Sequence, residues 1–82
     1  MKNTDKKHIY TLFDTLLDLC EEKGLSAEEA FVIGAMTDDE KTIEKFGEEE
    51  ALRLAIGVVE LCENGDQIFL ALERLFGFDE EN

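Results

Sequence analysis

Apolar residues recur at three- and four-residue intervals along most of the chain, and glycines interrupt the recurrence at Gly24, Gly47, Gly65 and Gly77. Such spacing is the mark of amphipathic helices, and a glycine just past each run suits the left-handed residue that closes a helix. No proline is present to force a kink. The pattern predicts five helices.

The first runs from about Asp5 to Lys23. Winding it at ~100° per residue puts Ile9, Leu12, Phe13, Leu16, Leu17, Leu19 and Cys20 on one broad side. Thr11, Asp14, Thr15, Asp18, Glu21 and Glu22 fall on the other. Lys2, Lys6 and Lys7 crowd its start, where the helix dipole disfavours positive charge, so residues 1–4 are expected to fray. Ser26-Ala27-Glu28-Glu29 is a capping box that opens the second helix. Its run from Ala30 to Met36 is almost wholly apolar, so this helix is either largely buried or exposes an apolar strip.

Thr37-Asp38-Asp39-Glu40 fits a second capping box, starting a short third helix anchored by Ile43 and Phe46. The fourth helix, Glu48 to Glu63, carries a stripe of Leu52, Ala55, Ile56, Val59 and Cys62, widened by Leu54, Val58 and Leu61. Such breadth makes it the central element. Asp66 is the expected cap of a fifth helix, about Gln67 to Phe76, with Ile68, Phe69, Ala71, Leu72, Leu75 and Phe76 on one side. Gly77 closes it, and Phe78 is expected to fold back over Leu72. Residues 79–82 form a short acidic tail that is expected to be frayed and disordered. The similarity of 16–21 to 58–63 is read as chance reuse of amphipathic letters rather than duplication. The expected fold is all-α: one domain over residues 1–82, a compact bundle of four to five short helices around Glu48–Glu63.

Gly34 and Gly57 fall inside helices, where glycine costs roughly 1 kcal/mol against alanine. Close approach of two backbones would justify that cost, and Gly34 is expected to pack against the fourth helix.

Charge narrows the function. The chain has 82 residues and a net charge of −13, with 44% hydrophobic residues. That apolar share supports a core. The polyanion repels nucleic acid and anionic membranes, so neither is an expected direct partner. No run of ~20 apolar residues could span a bilayer. The first apolar stretch is broken by Asp14 and Asp18, so it is not a signal peptide, and Cys20 and Cys62 read as reduced, buried thiols of a cytoplasmic protein.

Catalytic motifs are absent: no phosphate loop, HExxH, GxSxG or calcium-loop spacing occurs. His8 reads as a surface residue rather than a base. No cofactor or metal is expected. A helix-turn-helix built on the second and third helices would present Asp38, Asp39 and Glu40 to phosphates, which argues against it.

Two surfaces remain. Residues 38–50 hold seven acids, Asp38, Asp39, Glu40, Glu44, Glu48, Glu49 and Glu50, against two lysines. They are either a solubilising face or an imitation of a phosphate backbone for a basic groove. The other surface is apolar residues on the wrong side of their helices: Val32, Met36, Leu54, Leu61 and Leu70. Neighbours are expected to cover Leu54 and Leu61, which leaves Leu70 as the partner or dimer contact. The favoured reading is a non-enzymatic protein, regulatory or adaptor, that binds another protein, one with a basic surface among the options. The alternatives are a nucleic-acid mimic of phage or mobile-element type and a self-associating structural module, with a homodimer possible. An unrecognised metal enzyme ranks last.

Overall fold

The computed structural model describes the backbone of residues 2–78 and the side chains of residues 7–78. Of the residues expected to fray, Lys2–Thr4 have helical backbone as the first turn of α1, while residue 1 and the acidic tail 79–82 lie outside those bounds. Five helices follow one another: α1 (Lys2–Glu22), α2 (Ala27–Thr37), α3 (Glu40–Phe46), α4 (Glu48–Leu61) and α5 (Gly65–Phe76). No strand occurs among the described residues. α4 touches each of the other four helices, and α1 packs most extensively against it. The centre is therefore where the wide apolar arc of α4 places it. Leu16 and Cys20 of α1, Ile33 of α2, Leu52, Ala55 and Val59 of α4, and Ile68, Leu72 and Phe76 of α5 close the core.

The helix ends follow from local chemistry. The Ser26 hydroxyl accepts from the Glu29 amide at 3.1 Å, and Glu29 returns a carboxylate to the Ser26 amide at 2.9 Å. This is the reciprocal capping box that the sequence predicts. Gly24, Gly47 and Gly77 have φ of +83°, +88° and +87°. Beyond Gly24 the Leu25 amide donates to the Cys20 carbonyl at 3.0 Å, and beyond Gly77 the Phe78 amide donates to Glu73 at 2.7 Å. Both are Schellman closures. Phe78 itself stays exposed. Gly47 is at once the last cap of α3 and the first of α4.

Several expectations are corrected. Thr37 does not cap α3. It is the buried last residue of α2, and its hydroxyl donates to the Ile33 carbonyl at 2.8 Å. With that oxygen turned inward, Asp39 takes the cap, accepting from the Lys41 amide at 3.1 Å. Gly65 does not end α4. The chain leaves the helix after Leu61 through an extended Cys62, so α4 is shorter than Glu48–Glu63, and Gly65 opens α5. Asn64, not Asp66, is the cap there, accepting from the Gln67 amide at 3.0 Å. Gly65 has no positive φ, and a Cβ there would lie 2.9 Å from Leu25 Cδ2, the movable tip of that side chain. α1 starts earlier than Asp5 and ends at Glu22, which puts Lys23 in the turn. From there its ammonium donates to the Glu60 and Cys62 carbonyls at 3.2 and 2.8 Å, satisfying acceptors at the end of α4.

The two internal glycines also differ from expectation. A Cβ at Gly34 would meet the Phe13 ring of α1 at 3.2 and 3.3 Å, so its close neighbour is α1, not α4. Gly57 has open space where a Cβ would go. Thr42 of α3 is fully buried, and its hydroxyl has no hydrogen-bond partner among the described residues.

Candidate partner-binding groove

α2 is too apolar to show one wet face, and the bundle covers only part of it. Ile33, Gly34 and Thr37 turn inward, whereas Phe31 is 75% exposed and Val32 44% exposed. Of the two options open for this helix, the exposed apolar strip is the one realised. Beside Phe31 runs a groove of about 800 Å³ between α1 and α2. Phe13 and Leu17 of α1 wall one side, Phe31 the other, and Ala30 and Gly34 keep the floor low. The absence of a side chain at Gly34 lets the Phe13 ring lie over the helix.

A second hollow of about 210 Å³ continues it towards Tyr10, Ile43 and Leu52. Phe13, Gly34 and Asp38 border both, so the two adjoin as a trench along α1, divided where the Phe13 ring sits against Gly34. Among the described residues, the ionisable side chains that line it are Glu21, Asp38, Glu48 and the tyrosine Tyr10. Tyr10, 66% exposed, stands at the end of the trench near Asp38 and Glu48. Burying a phenylalanine side chain is worth about 1.5–3 kcal/mol, so Phe31 is a large unspent term on this surface.

The acids singled out between residues 38 and 50 divide into separate roles. Asp38 and Glu48 border the trench. Asp39 is occupied as the α3 cap. Glu49 accepts from Arg53 Nη2 at 2.8 Å and Nε at 3.1 Å, one turn along α4. That guanidinium holds the Glu49 carboxyl below the ordinary glutamate range, with the charge of His8 acting the same way. His8 Nε2 lies 3.3 Å from Glu49 Oε2 and 3.2 Å from Arg53 Nη2. One ring nitrogen serves only one of these at a time: protonated it donates to Glu49, neutral it accepts from Arg53. His8 is thus a surface residue, as the sequence predicts, but tied to α4. Glu40, Glu44 and Glu50 are exposed.

Leu70 is half exposed on α5, and no α5 residue lines the trench, so it is not brought together with the acids or with Phe31. Leu61 was expected to be covered, yet it is 86% exposed. It is the last residue of α4. Leu54 is half-buried against the core, as expected. Both cysteines are free; Cys20 is buried and Cys62 half-buried. No group of three or more His, Cys, Asp or Glu is placed to hold a metal ion among the described residues, and no described helix is long and apolar enough to cross a membrane.

Sequence reasoning missed Phe31, Tyr10 and Phe13 as surface features. The available signal was the run Ala30–Met36: an all-apolar helix in so short a chain has more sides than there are helices to cover them. No protein-family model, curated protein or solved structure matches the chain.

Proposed function

We propose that this protein is a non-enzymatic binding module, cytoplasmic and regulatory or adaptor-like, that engages another protein through the α1–α2 trench. The observation that carries the reading is the trench itself, an apolar channel beside a phenylalanine that is three-quarters exposed. Contiguous apolar surface on a small, highly charged protein is costly for solubility, and it commonly marks a contact surface. Two free thiols fit a reducing compartment.

A nucleic-acid mimic would need the acids of residues 38–50 to be available together. Asp39 is committed to a cap and Glu49 to Arg53, which thins that surface. The mimic is therefore the second reading.

Affinity capture from the native host, read by mass spectrometry, separates the two. Wild-type protein is compared with Phe31→Asp and with a Glu40→Lys, Glu44→Lys, Glu50→Lys triple variant. Phe31 is exposed, so its replacement leaves the core intact. Partner loss with Phe31→Asp and retention by the triple variant is the expected result. The reverse pattern, with capture fading as salt rises, would establish the mimic instead. Sedimentation of the purified chain tests the self-associating module, which requires a dimer or larger species.

A further inference from the structure

We infer that the occupant of the α1–α2 trench is a short amphipathic helix with a basic polar face, belonging to another protein. The inference rests on the trench being the contact surface, and three observations select its occupant.

The first is shape. From Tyr10 to Glu21 the trench follows α1 for about 17 Å at ~1.5 Å per residue, or about three helical turns. Its floor is low at Ala30, where a second helix can approach, while the Phe13 ring already lies against Gly34.

The second is hydrogen bonding. Both walls are helices, whose interior amide and carbonyl groups are already paired along their own axes. A peptide that binds by strand addition needs an open sheet edge for its main chain, and the trench has none. A helix satisfies its own backbone and brings only side chains, which is what an apolar channel can receive.

The third is charge. Glu21 stands at one end, Asp38 where the two hollows meet and Glu48 at the other end, and no basic side chain joins them among the described residues. Lysines or arginines flanking the apolar stripe of the incoming helix meet these carboxylates. A second copy of the chain would bring its own −13 charge against this lining, and a nucleic acid its phosphates. Both are disfavoured by the same field that attracts a basic helix.

The test uses the full-length protein and three synthetic peptides of about 16 residues, enough for four turns. One is a Leu/Lys sequence with leucines on a single helical face. One has the same composition scrambled so that no face forms. One replaces every lysine of the first by glutamate. Binding is read by fluorescence anisotropy and by amide chemical-shift changes, at ~50 mM and ~500 mM salt.

The amphipathic Leu/Lys peptide should bind with shifts centred on Phe13, Ala30 and Gly34. The scrambled and Leu/Glu peptides should bind at least ~10-fold more weakly. Phe31→Asp should weaken the Leu/Lys complex by a similar factor while keeping the wild-type melting temperature. Glu21→Gln with Glu48→Gln should weaken it and flatten its salt dependence.

Equal binding of the scrambled peptide, shifts confined to Glu40, Glu44 and Glu50, or no binding of the Leu/Lys peptide would each overturn the inference. If host capture still depends on Phe31 while the Leu/Lys peptide fails, the trench remains a contact surface and only the basic helix is refuted. If capture is also indifferent to Phe31→Asp, both readings fall.

Discussion

Gly57→Ala is the sharpest test of the packing around α4. Gly57 lies inside the central helix, its backbone is not among the positive-φ glycines, and nothing lies within 4 Å of the position a Cβ would take. Glycine in a helix interior is about 0.8–1.0 kcal/mol less favourable than alanine, mainly through the freedom it gains on unfolding. With no clash to offset the change, nearly the whole of that difference should appear as stability. For a domain of this size ~1 kcal/mol raises the melting temperature by about 4–8 °C.

Gly34→Ala is the matched control. It makes the same intrinsic gain, but its Cβ would press on the Phe13 ring at 3.2 and 3.3 Å. That ring is half-buried and borders open trench, so it can yield by a few tenths of an ångström at some cost. The gain at Gly34 should be no more than about half of that at Gly57. Urea titration and thermal melts followed by circular dichroism measure both, with the urea midpoint rising at unchanged slope for Gly57→Ala. A lowered midpoint for Gly57→Ala, or equal gains at the two sites, would refute this account of the helix contacts.

Three further outcomes are expected. Thr42→Val should stabilise by about 1 kcal/mol, because it removes a buried hydroxyl without a partner and keeps the shape; a loss of that size in chemical denaturation would mean that the hydroxyl is bonded after all. Burial pushes the Cys20 thiol up, whereas Cys62 is half-buried, so a thiol reagent added to native protein should label Cys62 first and reach Cys20 only on unfolding; simultaneous labelling would contradict the buried site. The Glu49 carboxyl should titrate below ordinary glutamate by NMR and move back in Arg53→Met. Its folded pKa is the lower one, so its contribution is present above the unfolded glutamate value and fades as pH falls through the folded value. The pair is solvent-exposed, so the effect on overall stability should be small, and an unshifted titration would show that the ion pair does not persist in solution.

α1, α4 and α5 were legible from apolar stripes at the helical period and α2 from its capping box, and α4 could be placed at the centre from the width of its arc alone. Periodicity gives the direction in which a face points, not the neighbour it meets. Gly34 could thus be assigned to a tight contact, but the partner was α1 rather than α4. Capping failed where two oxygens competed. Ser26 had no rival, whereas Thr37 was drawn to Ile33 and left α3 to Asp39, and Asn64 stood two residues ahead of Asp66 at the start of α5. The binding surface was the least legible part. Leu70 stood out because it interrupts a polar side, while Phe31 hid within a run that looked like core. Exposure there depends on how many helices the bundle can lay against α2, which no local pattern encodes.

The pairing of α1 with α4 has a consequence for how the molecule is made. Most of the inward side of α1 is covered by a helix that begins at Glu48, well after α1 itself has been synthesised. A chain halted before that point has only α2 to lay against Leu12, Leu16 and Leu19. The fold thus closes through a long-range pairing, and the apolar side of α1 is fully covered only once α4 has docked.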